Sequence, residues 1–238
     1  KNPVRSLFEA AMRLFPEPLP IVYVQSVSGM DSPGRYAIRG LFIGDDAGSY
    51  GAACRLSAEL NITCVERPLR KVVVHLDSHE FQSTWLGNKS IYRTRLAIAD
   101  GGELIVLAPG VKRFGEDGDI DRMIRRHGYS GKNRILECIS EDPELKSNLA
   151  AAAHLIHGSS EGRFRITYCA GHLTRQEVEA AGYHYERLPA ALKKYNAGPV
   201  KDGWAVISGG EEIYLISNPA TGLWATKEKV KDIHPSPG

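Results

Sequence analysis

No apolar run in this chain approaches the roughly 20 residues that span a bilayer, so a membrane is not expected among its partners. An excess of one charge is lacking too. Lysine and arginine number 30 against 28 aspartates and glutamates, which leaves no general attraction to nucleic acid or to anionic lipid. Any cationic site must be local. Cysteine is scarce and scattered: Cys54, Cys64, Cys138 and Cys169 form no CxxC pair and no metal-finger spacing. Each sits among apolar neighbours and is expected to be a buried, reduced thiol, which favours a cytoplasmic setting. The phosphate loop GxxxxGK[ST], the dinucleotide fingerprint GxGxxG and the nucleophile elbow GxSxG are all absent. So are internal repeats and low-complexity linkers. The opening KNPVRSLFEAAMRLF has its apolar residues on one helical stripe, unlike a secretory signal.

What is present is a soluble globular composition over 238 residues, enough for one large core or two modest ones. A helix over 1–15 is expected to end at Pro16, Pro18 and Pro20. Strands at 21–27 and 36–43 form a hairpin-like pair around the turn-rich SGMDSPG, and a helix follows over 47–60. The stretch VVVHLDSHEFQSTWLGNKSIYRTRLAIADGGELIVLAPG is the most informative. It reads as a strand over 71–77, a polar loop, a helix over 90–99 ended by Gly101-Gly102, and a strand over 103–107: a βαβ unit. The VVVHL core alternates poorly, as in a strand covered on both faces. Helices are expected over 117–127, 133–139 and 143–157, and then a strand over 163–169. A helix over 174–181 opens with a Thr174/Glu177 capping-box pattern. A helix over 188–195 precedes two short strands joined through Gly209-Gly210. The fold class is therefore α/β: a Rossmann-like, mostly parallel sheet flanked by helices, with a helical segment near 111–160 and a short C-terminal hairpin. One domain is drawn over 1–230, with a disordered tail over 231–238.

Parallel-sheet proteins place ligand groups at the carboxyl ends of strands. Asp77 and His79 lie there after the third strand, either facing a ligand or, for Asp77, capping the loop. His75, inside the strand, reads as a packed core histidine. In GNKSIYRTR, Gly87 and Asn88 suit a turn and N-cap that would leave N–H groups open to an anion. Lys89 and Arg93, four apart, share a helix face, while Arg95 points elsewhere. Asp77, Asn88, Lys89 and Arg93 are the expected substrate-binding residues. His79 and His172, the latter in CAGHLT after a strand, are the expected catalytic ones. The loop APGVKRFGED offers Lys112 and Arg113 as further lining. His154 and His157 could share a metal but have no third ligand, so no metal site is assigned. They read as surface or packing histidines, and His127 and His234 as surface ones.

Taken in order, these segments resemble the C-terminal half of the nickel-pincer-dependent lactate racemase family, which includes mannonate-type epimerases of sugar acids. NPVRSLFEAA is similar to the family's NPxH with its following helix, and GLFIGDDAGSYGAA to VFAGDPxxAHxAG. IYRTRLAI is similar to LYQxxKAL, and GGELIVLAPGVKRFGED to GGxIILVAxCxEGxG. The similarity covers roughly residues 2–118. The resemblance implies a 2-hydroxy-acid racemase or epimerase that removes and returns a hydride at C2. Its nickel-pincer nucleotide would sit on a lysine of an N-terminal domain of the same protein, with none bound by this segment alone. The departures are Arg5 at the nickel-ligand histidine, and Arg93 and Leu96 at the glutamine and lysine of LYQxxK. Lys1 falls in what resembles mid-family sequence, so the chain is expected to be one domain or subunit and inactive alone. Two other readings stay open: a non-catalytic binding domain, and an unrelated α/β enzyme acting on a phosphorylated sugar.

Overall fold

A computed structural model describes residues 3–15, 20–32, 35–195 and 202–233. Pro16, Pro18, His234 and the rest of the expected tail over 234–238 lie outside them. The sequence reading drew one domain over 1–230. The chain divides into two compact units, Lys1–Asn61 and Ile62–Gly238.

In the first unit, helix α1 (Pro3–Arg13) precedes an antiparallel ribbon of β1 (Tyr23–Ser32) and β2 (Arg35–Gly44). The strands run further than their apolar cores suggested and take in most of SGMDSPG. Helix α2 (Ala47–Asn61) packs on one face of the ribbon, over Val27 and Ala53. Gly40 permits this, because a Cβ there would overlap the Leu56 side chain.

The second unit begins with β3 (Ile62–Val65) and β4 (Leu69–His75), followed by single turns α3 (Thr84–Gly87) and α4 (Lys89–Tyr92). After β5 (Ile98–Ala108) come α5 (Gly118–His127), α6 (Lys132–Glu141), α7 (Pro143–Ser147) and α8 (Leu149–His157), the expected helical segment. Then follow β6 (Arg165–Ala170), α9 (Arg175–Ala180), β7 (His184–Tyr185) and α10 (Leu188–Tyr195). The unit ends with β8 (Gly203–Val206), β9 (Glu212–Ile216), β10 (Leu223–Thr226) and α11 (Lys227–Ile233).

Six strands form one sheet in the order β7-β6-β5-β4-β9-β8, parallel except for β8. The β8–β9 pair is the expected hairpin, turned through Gly209 and Gly210 at φ 95° and 80°, where side chains are disfavoured. The poor alternation of VVVHL now has a cause. Val72 and Val74 enter one core beneath α5–α9, and Val73 enters a second core with Ile105, Leu107 and Tyr195 of α10. Both faces are covered, so neither parity needs polar residues. Each such buried side chain contributes roughly 1.5–3 kcal/mol.

Two local expectations change. The helix over 90–99 is only the turn α4, and β5 starts at Ile98. Gly101, at φ 72°, therefore lies inside β5, next to the register shift between Leu69 and Lys71, and ends no helix. Cys138 and Cys169 are buried, but Cys64 is exposed on the short strand β3, against expectation.

The capping box forms as read. The Glu177 N–H donates to Thr174 Oγ1 at 3.2 Å, and the Thr174 N–H donates to the Glu177 carboxylate at 2.8 Å. Glu177 also accepts from Arg125 at 2.8 Å, tying α9 to α5. Thr174→Ala should cost about 1 kcal/mol, measurable by urea unfolding, and no change would mean the cap is idle.

Candidate functional site

In an open parallel sheet, ligands bind where successive connections leave in opposite directions. Here the chain runs from β4 outward through β5, β6 and β7, then returns to β9 on the other side of β4. The switch point is thus at the carboxyl ends of β4 and β9. Asp77–Glu80 follows the first and Ser217-Asn218 the second. Asn218 Nδ2 donates to Glu80 Oε2 across the gap at 3.0 Å. Neither Glu80 nor Asn218 was marked in the sequence. They lie 138 positions apart, and no local pattern links them.

Asp77 builds its own loop. Its Oδ1 accepts the N–H groups of His79 (2.8 Å) and Glu80 (3.0 Å), and its carbonyl accepts that of Phe81 (3.0 Å). The two backbone donors hold its carboxyl below the usual range. Asp77 is therefore the loop cap of the blander reading, and it is also exposed at the strand end, as is His79.

Three loops meet at this edge because two glycines remove side chains. A Cβ on Gly110 would overlap the Ser78 carbonyl, and one on Gly171 the Pro109 carbonyl. The His172 N–H donates to the Val111 carbonyl at 3.3 Å, which fixes the third loop to the second. The structure thus sets Asp77 and His79, Gly110, and exposed His172 on consecutive loops. Lys112 and Arg113 are exposed on the middle loop. Its backbone is anchored by the Lys112 N–H to Gln82 O (3.1 Å) and the Thr84 N–H to Arg113 O (3.1 Å).

Gly87 and Asn88, expected to open a turn for an anion, spend their own N–H groups on α3. The Gly87 N–H donates to Ser83 O (2.9 Å) and the Asn88 N–H to Thr84 O (2.8 Å), so α3 runs directly into α4. Asn88 is fully buried, makes no side-chain cap, and donates Nδ2 to Tyr183 Oη at 3.0 Å. It supports the turn from beneath and does not face a ligand.

Lys89 and Arg93 remain one turn apart, joined by the Arg93 N–H to Lys89 O at 3.1 Å. Both are half-buried, and the Lys89 Nζ lies 5.7 Å from the Phe81 ring centre, beside the Asp77 loop. Arg93 is further round: its carbonyl accepts the Trp224 N–H of β10 at 2.9 Å. Arg95 is structural, donating Nη2 to Ser159 O at 2.7 Å.

Beneath the turn lies a buried polar cluster that the sequence reading missed. Thr84 Oγ1 and Tyr129 Oη are 2.7 Å apart, and Tyr129 Oη is 3.1 Å from His154 Nε2. Tyr129, Tyr183 and Tyr168 stack, with ring centres 4.7 and 5.3 Å apart. Tyr183 Oη donates to Gly158 O at 2.9 Å. The His154 ring lies 4.2 Å from that of Trp85, tilted by 31°, and desolvation, aided by His157, pushes its pKa down to about 4. His154 is thus a packing histidine and His157 an exposed one. His75 is half-buried, with its pKa lowered by desolvation. His127, expected at the surface, is mostly covered and pairs with Asp142 at 2.9 Å.

Among the described residues no three histidine, cysteine, aspartate or glutamate side chains converge on a possible metal position. Among the described residues no helix is long and apolar enough to cross a membrane.

No family model and no curated protein matches the sequence. Solved structures do. A protein from Thermotoga maritima superposes with a TM-score of 0.69 at 23% identity, over 95% of this chain and 54% of that one. The lactate racemase apoprotein from Thermoanaerobacterium thermosaccharolyticum superposes with a TM-score of 0.53 at 15% identity, over 79% of this chain and 42% of that one. At these identities the likeness establishes a shared, racemase-like fold. The chain spans about half the length of either structure.

Proposed function

We propose that the chain is the substrate-positioning part of a 2-hydroxy-acid racemase or epimerase, with a sugar acid as the preferred substrate class. The observation that carries this is the meeting of the β4, β5 and β6 loops at the sheet's carboxyl edge. It sets His79 and His172 on neighbouring loops, in a fold shared with a lactate racemase apoprotein.

Lys89 and Arg93 bind the substrate carboxylate. Arginine offers two parallel donors to its oxygens, and lysine adds a point charge whose half-burial limits screening. Asp77 keeps its loop folded so that His79 stands at the strand end. His79 and His172 accept and return the proton of the C2 hydroxyl as that carbon passes through the keto state. The hydride leaving C2 needs an acceptor that these residues do not contain. That acceptor belongs to the remaining half of a longer protein. A second cationic contact in place of the family's glutamine suits a more polar acid than lactate.

Arg93→Ala in the active, longer protein should raise KM roughly 10- to 100-fold, as expected for a lost charge-assisted hydrogen bond, with a smaller change in kcat. Lys89→Ala should act in the same direction. Unchanged KM in both variants would contradict the assignment.

A further inference from the structure

The β1–β2 ribbon has two unlike faces. Its inner face carries Val27, Gly29, Gly40 and Phe42 and is covered by α2. The outer face is built from the facing pairs Val24–Ile43, Ser26–Leu41, Ser28–Ile38 and Met30–Tyr36. Val24, Met30, Ile38, Leu41 and Ile43 are 55 to 69% exposed. None of the eight outer positions is charged. The one register shift within this stretch falls between Val27 and Ser28, leaving Arg39 extra, near Gly29 on the inner side. A strand face meant for water alternates apolar-in with polar-out. This one is apolar on both sides of β2, and contiguous exposed apolar surface of this kind marks an interaction site.

We propose that this outer face is an interdomain surface, covered by the part of a longer polypeptide that this chain does not include. Two observations select that occupant. The solved neighbours that cover 95% and 79% of this chain are themselves about twice its length, so a further half is available to pack against it. The face has no charge and only two serines among its eight positions. It therefore suits a permanently buried, apolar sheet or helix surface, and not a transient partner that must also exist free in water. The inference rests on reading the chain as part of a longer protein, and not on that protein's chemistry.

The test places Ile38→Lys and Ile43→Lys together in the 238-residue chain and in the uninterrupted polypeptide its reading frame encodes. In the 238-residue chain, the dye ANS binds the open face. The lysines reduce its fluorescence several-fold and leave the melting midpoint unchanged. In the longer polypeptide, dye binding is low, and the same lysines lower the midpoint by several degrees and raise dye binding. Three results overturn the proposal. One is a 238-residue dimer that the lysines dissociate, which makes the occupant a second copy. Another is a monomer that binds no dye. The third is a longer polypeptide whose midpoint ignores the lysines. Racemase activity is not read, so failure here stays distinct from failure of the functional reading.

Discussion

Gly110→Ala should lower stability by roughly 1–3 kcal/mol, the cost of forcing a packed backbone apart, and abolish most activity of the longer protein. Its added Cβ would meet the Ser78 carbonyl, a backbone atom that cannot swing aside as a side chain can. Relief requires the β4 loop to separate from the β5 loop. That movement displaces Asp77 and His79 together, because Asp77 organises the turn carrying both. Gly118→Ala is the control. It lies at the start of α5 with open space around the added atom and no positive φ, so alanine there should be neutral or stabilising by up to about 1 kcal/mol. Equal effects of the two substitutions in urea unfolding would remove the loop contact from the account.

The second large effect concerns acid. His154 is held neutral in the core, with its pKa pushed down to about 4, against roughly 6.5 when unfolded. Between these values the unfolded chain binds the proton and the folded chain does not, so stability falls as pH falls through that window. The full loss is about 3 kcal/mol. Asp142 and Glu177, both lowered to about 2, act in the same direction but lower down. Their contribution is present above about 4 and disappears toward pH 2. His154→Gln keeps a polar side chain beside Tyr129 and removes the titration. It should flatten stability between pH 6.5 and 4.5 and leave the steeper acid limb. A variant with the wild-type slope would place the dependence elsewhere.

The sheet was legible because strand parity and turn glycines are local. VVVHL, GELIVLA and RFRITYC were placed within a few residues, and Gly209-Gly210 turned the hairpin as read. The IYRTRLAI segment was not legible as irregular backbone, because its apolar spacing fits a helix. What defeats the helix lies far along the chain. Arg163 donates to the carbonyls of Arg95 and Ile98, both at 3.1 Å. The N–H groups of Trp224 and Thr226 donate to those of Arg93 and Leu96. Carbonyls satisfied from β10 and from Arg163 have no need of helical partners. The same distance effect explains Asn88. Its turn-forming character is local, but its partner Tyr183 lies 95 positions away and draws it inward. Asp77, His79 and His172 were singled out from their place at strand ends, which depends only on where strands stop. Glu80 and Asn218 were missed because they meet only through the return of β9 beside β4.

The most direct test is inversion at C2 of a 2-hydroxy sugar acid deuterated there, using the longer protein and following the label by mass spectrometry. The expected result is epimerised product that keeps its deuterium, with turnover lost in His79→Ala. Epimerised product that has exchanged its deuterium for solvent hydrogen would contradict the account, as would full turnover by the His79 variant.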